Sequence, residues 1–438
     1  MQGNELLGMS LMLMALFAFF HRGRWVWDPF SPIRLYSALW LFCVGLCQLR
    51  VLGDEEAWRT EIWIVVLLGY ASFLLGSLFI RIMFPIGEAG FKPPLCVQKD
   101  FSDNVFKWLR WMIVFCGLVL GLQYWVKGGV PVLSDDDQLR IAYAINSYVQ
   151  RIALTVVPLT SLYGILMVHK RQLGLVSNLK NYFTMLLSIV IIFSMESRFY
   201  LLVAFVPVMI AACYSIKMPD RRRFLTRVVP LGLAIVYSRA LLRSFSYFEL
   251  SAQSLGAQLA LYLGPIYIAV VGHFEGLQRI VDMFPRQLSF RYGLGGSFDV
   301  ITAFLKGPLG LDYYGFAAFR NFNDFYINQY THLGLAFADF GYVGVLMIGW
   351  IYGAASTWSY RRMITRPTIL NMYVYSQIAM AILLTIVTNI LLKLEFVYDI
   401  LVIAVALFLA QKPQLSVRNS ELVARKKGVV DESAAETQ

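Results

Sequence analysis

The chain has 438 residues, of which 58% are hydrophobic and only 15% charged, with a mean hydropathy of +0.62. A soluble domain carries charge on about a quarter of its residues, so this composition excludes one and points to a lipid solvent. The net charge of +11 fits basic cytoplasmic loops, and no block of interleaved basic and aromatic residues points to nucleic acid.

The first apolar run, Leu6 to Phe20, has no basic residue before it and no small-residue cleavage site after it, which argues against a removable leader. Together with the runs at 33–51, 62–80, 108–126, 152–168, 181–196, 199–216, 224–240, 334–356, 370–392 and 396–411, it predicts an all-α polytopic membrane bundle of about eleven transmembrane helices. Placing alternate loops in the cytoplasm gathers there Arg22, Arg24 and Arg34, then Arg81 and the segment Lys92 to Arg110, then Lys170, Arg171 and Lys180, then Lys217 and Arg221 to Arg223, then Arg361, Arg362 and Arg366. That pattern puts the N-terminus outside and the C-terminus in the cytoplasm. Residues 1–411 read as one membrane-embedded domain, and the polar, acid-ended tail 412–438 reads as disordered. Cys43, Cys47, Cys96, Cys116 and Cys213 fall in apolar runs or in a cytoplasmic loop, so no disulfide is expected. Cys43 and Cys47 lack the further ligands of a metal site, and no metal is assigned.

The exterior loop after Lys127 turns at Gly128, Gly129 and Pro131 and carries Asp135 to Asp137, read as a solvated helix start. One segment breaks the rhythm of short loops, because about ninety residues, 241–332, must stay outside. Its apolar stretch Leu259 to Val271 and its recurring aromatic residues predict an in-plane or re-entrant helix that dips into the outer leaflet.

The exterior side keeps a set of arginines that the charge rule disfavours: Arg140, Arg151, Arg198, Arg239, Arg243, Arg279, Arg286, Arg291 and Arg320. An arginine at mid-bilayer costs about 2.5 to 3.5 kcal/mol on insertion scales, so it calls for an anion or a wet cavity. A diphosphate offers bidentate acceptors for guanidinium forks; the alternative is that each arginine snorkels to the headgroups. Arg198, Arg243 and Arg291 are the leading candidates for a diphosphate, with Arg140 and Arg320 behind them. Asp339 lies inside an apolar helix, His332 stands at what reads as that helix's exterior mouth, and Glu196 sits two residues before Arg198. These three are the candidate general bases.

The Gly-Gly-x-Pro-x-Leu loop with a following arginine, the Glu-Ser-Arg turn at 196–198 and a Thr331-x9-Gly341-x-x-Gly344 stretch resemble Wzy-type O-antigen polymerases over residues 127 to 350. The resemblance implies a multi-helix glycosyltransferase of the bacterial inner membrane, related to the O-antigen ligases, with a large periplasmic loop and arginines that hold undecaprenyl diphosphate. In the related ligases a histidine precedes the small polar residue of that stretch; here Tyr330 takes its place and His332 comes two residues later. The expected substrates are undecaprenyl-diphosphate-linked oligosaccharides, with no cofactor and with a polysaccharide chain-length regulator as an expected partner. A flippase for the same lipid-linked sugars and an O-antigen ligase are the alternatives.

Overall fold

A computed structural model of the chain describes residues 3–21, 28–50, 57–85, 103–130, 148–172, 178–195, 198–215, 224–227, 255–292, 297 and 330–408. Among them there are helices and turns and no strand. Helices α1 (Gly3–Phe20), α2 (Pro32–Leu49), α3 (Thr60–Met83), α4 (Asp103–Lys127), α5 (Tyr148–Leu154), α6 (Val156–Gln172), α7 (Leu179–Ser194), α8 (Arg198–Ser215), α9 (Leu255–Met283), α10 (His332–Thr365) and α11 (Ile369–Leu383) are followed by a 3-10 turn, Leu384–Ile386. Residues 394–408 are helical again. Among the described residues, six helical stretches are long and apolar enough to cross a membrane: Pro32–Leu49, Thr60–Met83, Asn104–Lys127, Arg151–Arg171, His332–Thr365 and Ile369–Ile386. Three shorter apolar helices, Glu5–Phe20, Leu179–Ser194 and Tyr200–Ser215, match further predicted runs. Of the run at 224–240 only 224–227 is described, and the tail 412–438 lies outside the described residues.

The helices group into two units, one made of residues 1–97 and 202–397, the other of 98–201 and 398–438. In the second, α4, α5 and α7 pack around Leu120, Tyr124 and Ala153, with Ile191 and Met195 against them. The Tyr124 hydroxyl meets Ser194 Oγ at 3.0 Å.

The first unit is built on a close crossing of α3 and α10. A Cβ on Gly353 would sit 2.0 Å from the Phe73 carbonyl oxygen, and one on Gly349 2.7 Å from that of Gly69. Only glycine allows this approach, and the spacing of the two glycines four apart is the small-residue pattern by which helices pack without a hydrophobic drive. Ser72 Oγ donates to the Leu346 carbonyl at 2.5 Å and Ser77 Oγ to that of Gly353 at 3.2 Å. Partners advance together along both helices, so α3 and this part of α10 run parallel. At the far end, Arg361 donates to the Ile80 and Arg81 carbonyls.

Hydropathy reads 334–356 as one straight span, whereas the chain reverses inside it. Phe340 (φ −139°, ψ 16°) and Gly341 (φ 58°, ψ −141°) leave the helix, and the second of these dihedral pairs belongs to a region open essentially to glycine alone. The limb 332–339 then folds back along 342–365. Ala336 lies against Gly344, the Phe337 and Tyr342 rings are 5.3 Å apart, and the His332 ring is 5.0 Å from that of Tyr352. The first limb of eight residues rises about 12 Å.

Position 370–392, also read as one helix, ends at Leu383. Beyond the 3-10 turn the chain does not resume the helix: the backbone amides of Ile390 and Leu391 donate to Tyr352 Oη, each at 3.0 Å. Helix α9 lies within the segment predicted to dip into the membrane and packs on α2, α3 and α10. Its end is tied to the start of α3 by two ion pairs, Arg59 with Asp282 and Arg286 with Glu61, both at 3.1 Å.

Candidate functional site

The reversal at 340–341 sets the level of the site. Gly349 faces Gly69 on the parallel helices, and eight residues back from each, about 12 Å, lie Gly341 and Glu61. The turn of α10 therefore stands level with the Glu61–Arg286 pair, at the end of the unit that the charge pattern assigns to the exterior.

At that turn a short segment docks edge-on to the first limb. The Arg291 amide donates to the Ala338 carbonyl at 3.1 Å and the Tyr292 amide to that of Asp339 at 2.9 Å. Tyr292 has a positive φ of 50°, rare for a residue with a Cβ and the mark of a backbone bent to aim what flanks it. The Phe290 ring fills the space a side chain at Gly341 would need, 2.9 Å from the site of such a Cβ. Arg291 is half-buried and Tyr292 is 74% exposed.

Asp339 is fully enclosed and anchors the other end of the same segment. Its Oδ2 accepts from the Ser297 amide at 3.0 Å and from the Ser297 hydroxyl. These hydrogen bonds fix the carboxylate's orientation and offset part of the cost of enclosing it. Below Ser297 the chain of donors continues: Asn389 Nδ2 donates to the Ser297 carbonyl at 2.6 Å, and Tyr352 Oη donates to Asn389 Oδ1 at 2.8 Å. Every link points its hydrogen towards Asp339, starting from the amides of Ile390 and Leu391. Aligned donors polarise one another and rigidify the network.

His332 stands at the foot of the short limb and is not at an open mouth. It has no exposed surface, because the rings of Tyr36, Trp40 and Tyr352 surround it at centroid distances of 6.1, 5.3 and 5.0 Å. Its Nδ1 is 3.1 Å from the Thr385 carbonyl oxygen. A carbonyl only accepts, so Nδ1 carries the hydrogen and Nε2 is the basic nitrogen. Trp40 Nε1 donates to Thr385 Oγ1 at 3.0 Å, which fixes the same turn from α2.

The chain matches no protein-family model, no curated protein and no solved structure. Its site therefore rests on its own geometry.

Of the residues predicted from the sequence, the fold brings Arg291, Asp339 and His332 into one unit, the first two at a single turn. Arg198 begins α8. Glu196, Arg140, Arg243 and Arg320 lie outside the described residues. Sequence reading missed Ser297, Asn389 and Tyr352. Asn389 had a signal, since Thr385, Thr388 and Asn389 are polar breaks in an apolar run; Ser297 had none, its partner being 42 residues away.

Proposed function

We propose that the chain polymerises oligosaccharide repeat units carried on undecaprenyl diphosphate, at the exterior face of a bacterial inner membrane that it crosses about eleven times. In each cycle the bond between a donor glycan's anomeric carbon and its diphosphate breaks. A new bond forms to a sugar hydroxyl of a second lipid-linked repeat, that hydroxyl's proton passes to a base, and the lipid diphosphate leaves. Neutralising the leaving group and aligning the acceptor supply the catalysis, as preorganised charge does in such transfers.

The observation that supports this reading best is the fastening of Arg291. Its segment is tied at both ends to Asp339, by main chain at 291–292 and by Ser297, at the turn level with Glu61 and Arg286. An arginine whose main chain is fixed beside an exposed tyrosine brings to one turn a fork suited to phosphate and a flat face suited to sugar. Arg198, Arg243, Arg140 and Arg320 stay the further candidates for the diphosphate on the sequence reading. A base must come within about 3 Å of the hydroxyl it serves, and both His332 and Asp339 are wholly enclosed. Asp339 is therefore read as the anchor of the arginine loop, and Glu196 stays the candidate base of the sequence reading.

Replacing Arg291 with alanine is expected to abolish long glycans while single-repeat glycolipid persists, read on chain-length ladders; an unchanged ladder overturns the assignment. A second reading, a flippase, is favoured by one feature: two broken helices, α10 and α11, meet at a polar cluster, an arrangement that transporters also use. Purified protein given one lipid-linked repeat as sole substrate separates the two, since only a polymerase lengthens the glycan.

A further inference from the structure

The second unit holds a cation with no counter-ion among the described residues. Arg110, on α4 two turns from its start, is half-buried and turns inward between helices, donating from Nη2 to Asn181 Oδ1 at 3.2 Å. Tyr163 Oη donates to the same oxygen at 2.9 Å. Arg110 Nε is buried with no hydrogen-bond partner. Among the described residues no carboxylate pairs with this guanidinium, whose hydrogen-bonding neighbours are the neutral side chains of Asn181 and Tyr163.

Around it the same end of three helices collects Lys107 from α4, Lys170 and Arg171 from α6 and Lys180 from α7. Lys170 stands 5.2 Å over the Phe106 ring, and that ring lies edge-on to Tyr163 at 5.3 Å. The sequences of α4, α5, α6 and α7 contain one acid, Asp103 at the first position of α4. Apart from Asp103, one turn before Lys107, the sequences of these helices bring only cations to this end, and snorkelling to headgroups does not explain a guanidinium directed inward with a buried N–H left over.

We infer that this end of the second unit binds the phosphate of an anionic glycerophospholipid, seated on Arg110 and flanked by Lys107, Lys170 and Lys180. A lipid is favoured over free phosphate because exposed apolar side chains stand beside the cations: Leu179 and Phe183 next to Lys180, and Trp111 next to Arg110. They offer acyl chains a path away from the headgroup. The charge pattern assigns this end to the cytoplasm, and basic pockets between helices on that side are suited to anionic headgroups.

The test uses the full chain in neutral detergent, with native mass spectrometry and thermal unfolding on addition of dioleoyl-phosphatidylglycerol, dioleoyl-phosphatidylcholine or inorganic phosphate. Phosphatidylglycerol is expected to stay bound and to raise the unfolding temperature, whereas phosphatidylcholine does neither. Arg110→Gln is expected to cut retention of phosphatidylglycerol by roughly tenfold, the scale of one lost charge-assisted contact. Equal retention of both lipids, or undiminished retention by Arg110→Gln, overturns the site; stabilisation by free phosphate equal to that by phosphatidylglycerol overturns the lipid as its occupant. Should Arg110→Gln not fold, the double variant Lys107→Gln and Lys180→Gln, both at exposed positions, decides on the same criteria.

Discussion

Tyr352 concentrates more of the site's order than any residue that hydropathy or charge would single out. Its hydroxyl accepts two main-chain amides and donates to Asn389. Tyr352→Phe keeps the ring and strands both amides in an enclosed place. Unsatisfied buried groups cost about 1–3 kcal/mol each, so the unfolding midpoint in detergent is expected to fall by the equivalent of about 2 kcal/mol or more. Asn389→Leu leaves those amides satisfied through Tyr352 but frees the Ser297 carbonyl; its expected signature is shorter glycans with a smaller loss of stability. Asp339→Ala releases both donors of Ser297 and is expected to lose polymer as fully as Arg291→Ala. If Asp339→Ala polymerises normally, the anchoring role is refuted. Sequence reading reached Asp339 and Arg291 separately, one as a carboxylate in an apolar helix and the other as a cation on the wrong side. Their meeting at one turn depends on hydrogen bonds between segments more than forty residues apart, which no local pattern encodes.

Most elements were legible because twenty apolar residues in a row leave little choice, and the backbone of such a run must satisfy itself as helix. What hydropathy cannot register is direction: a limb of eight residues and one of twenty-four, joined by a reversal, read as a single apolar stretch. Gly341 was the local sign, since its φ of 58° with ψ of −141° is closed to other residues. Gly341→Ala would meet the Phe290 ring as well as this backbone penalty, and a loss of about 1–3 kcal/mol in stability is expected. The end of α11 was hidden for the opposite reason, because the hydroxyl that takes up the amides beyond it, at Ile390 and Leu391, belongs to another helix. Gly353→Leu tests the parallel crossing. A side chain there would run into the Phe73 carbonyl, so α3 and α10 must separate and folded yield is expected to collapse, whereas the same change at Gly121, which has open space around it, is expected to be tolerated.

For the molecule as a whole, orientation is the quantity to measure. With the reaction face outside, Arg286→Cys is expected to react with a membrane-impermeant maleimide in intact spheroplasts, and Arg361→Cys only after permeabilisation; the reverse pattern would turn the proposed site to the cytoplasm. The described native cysteines are buried and give a low background. The fold-back of α10 also has a consequence for biogenesis. Eight residues are too few for a translocon to release as a span, and the two groups that seat this limb from α11's side, the Thr385 carbonyl and Asn389, are synthesised after it. A nascent chain that has just finished α10 therefore holds the short limb without its final partners, and the Arg291 turn takes shape only when the ribosome has moved past residue 389. Assembly of the proposed site is in this way scheduled as a late event of synthesis, after α2 and α3 have been made.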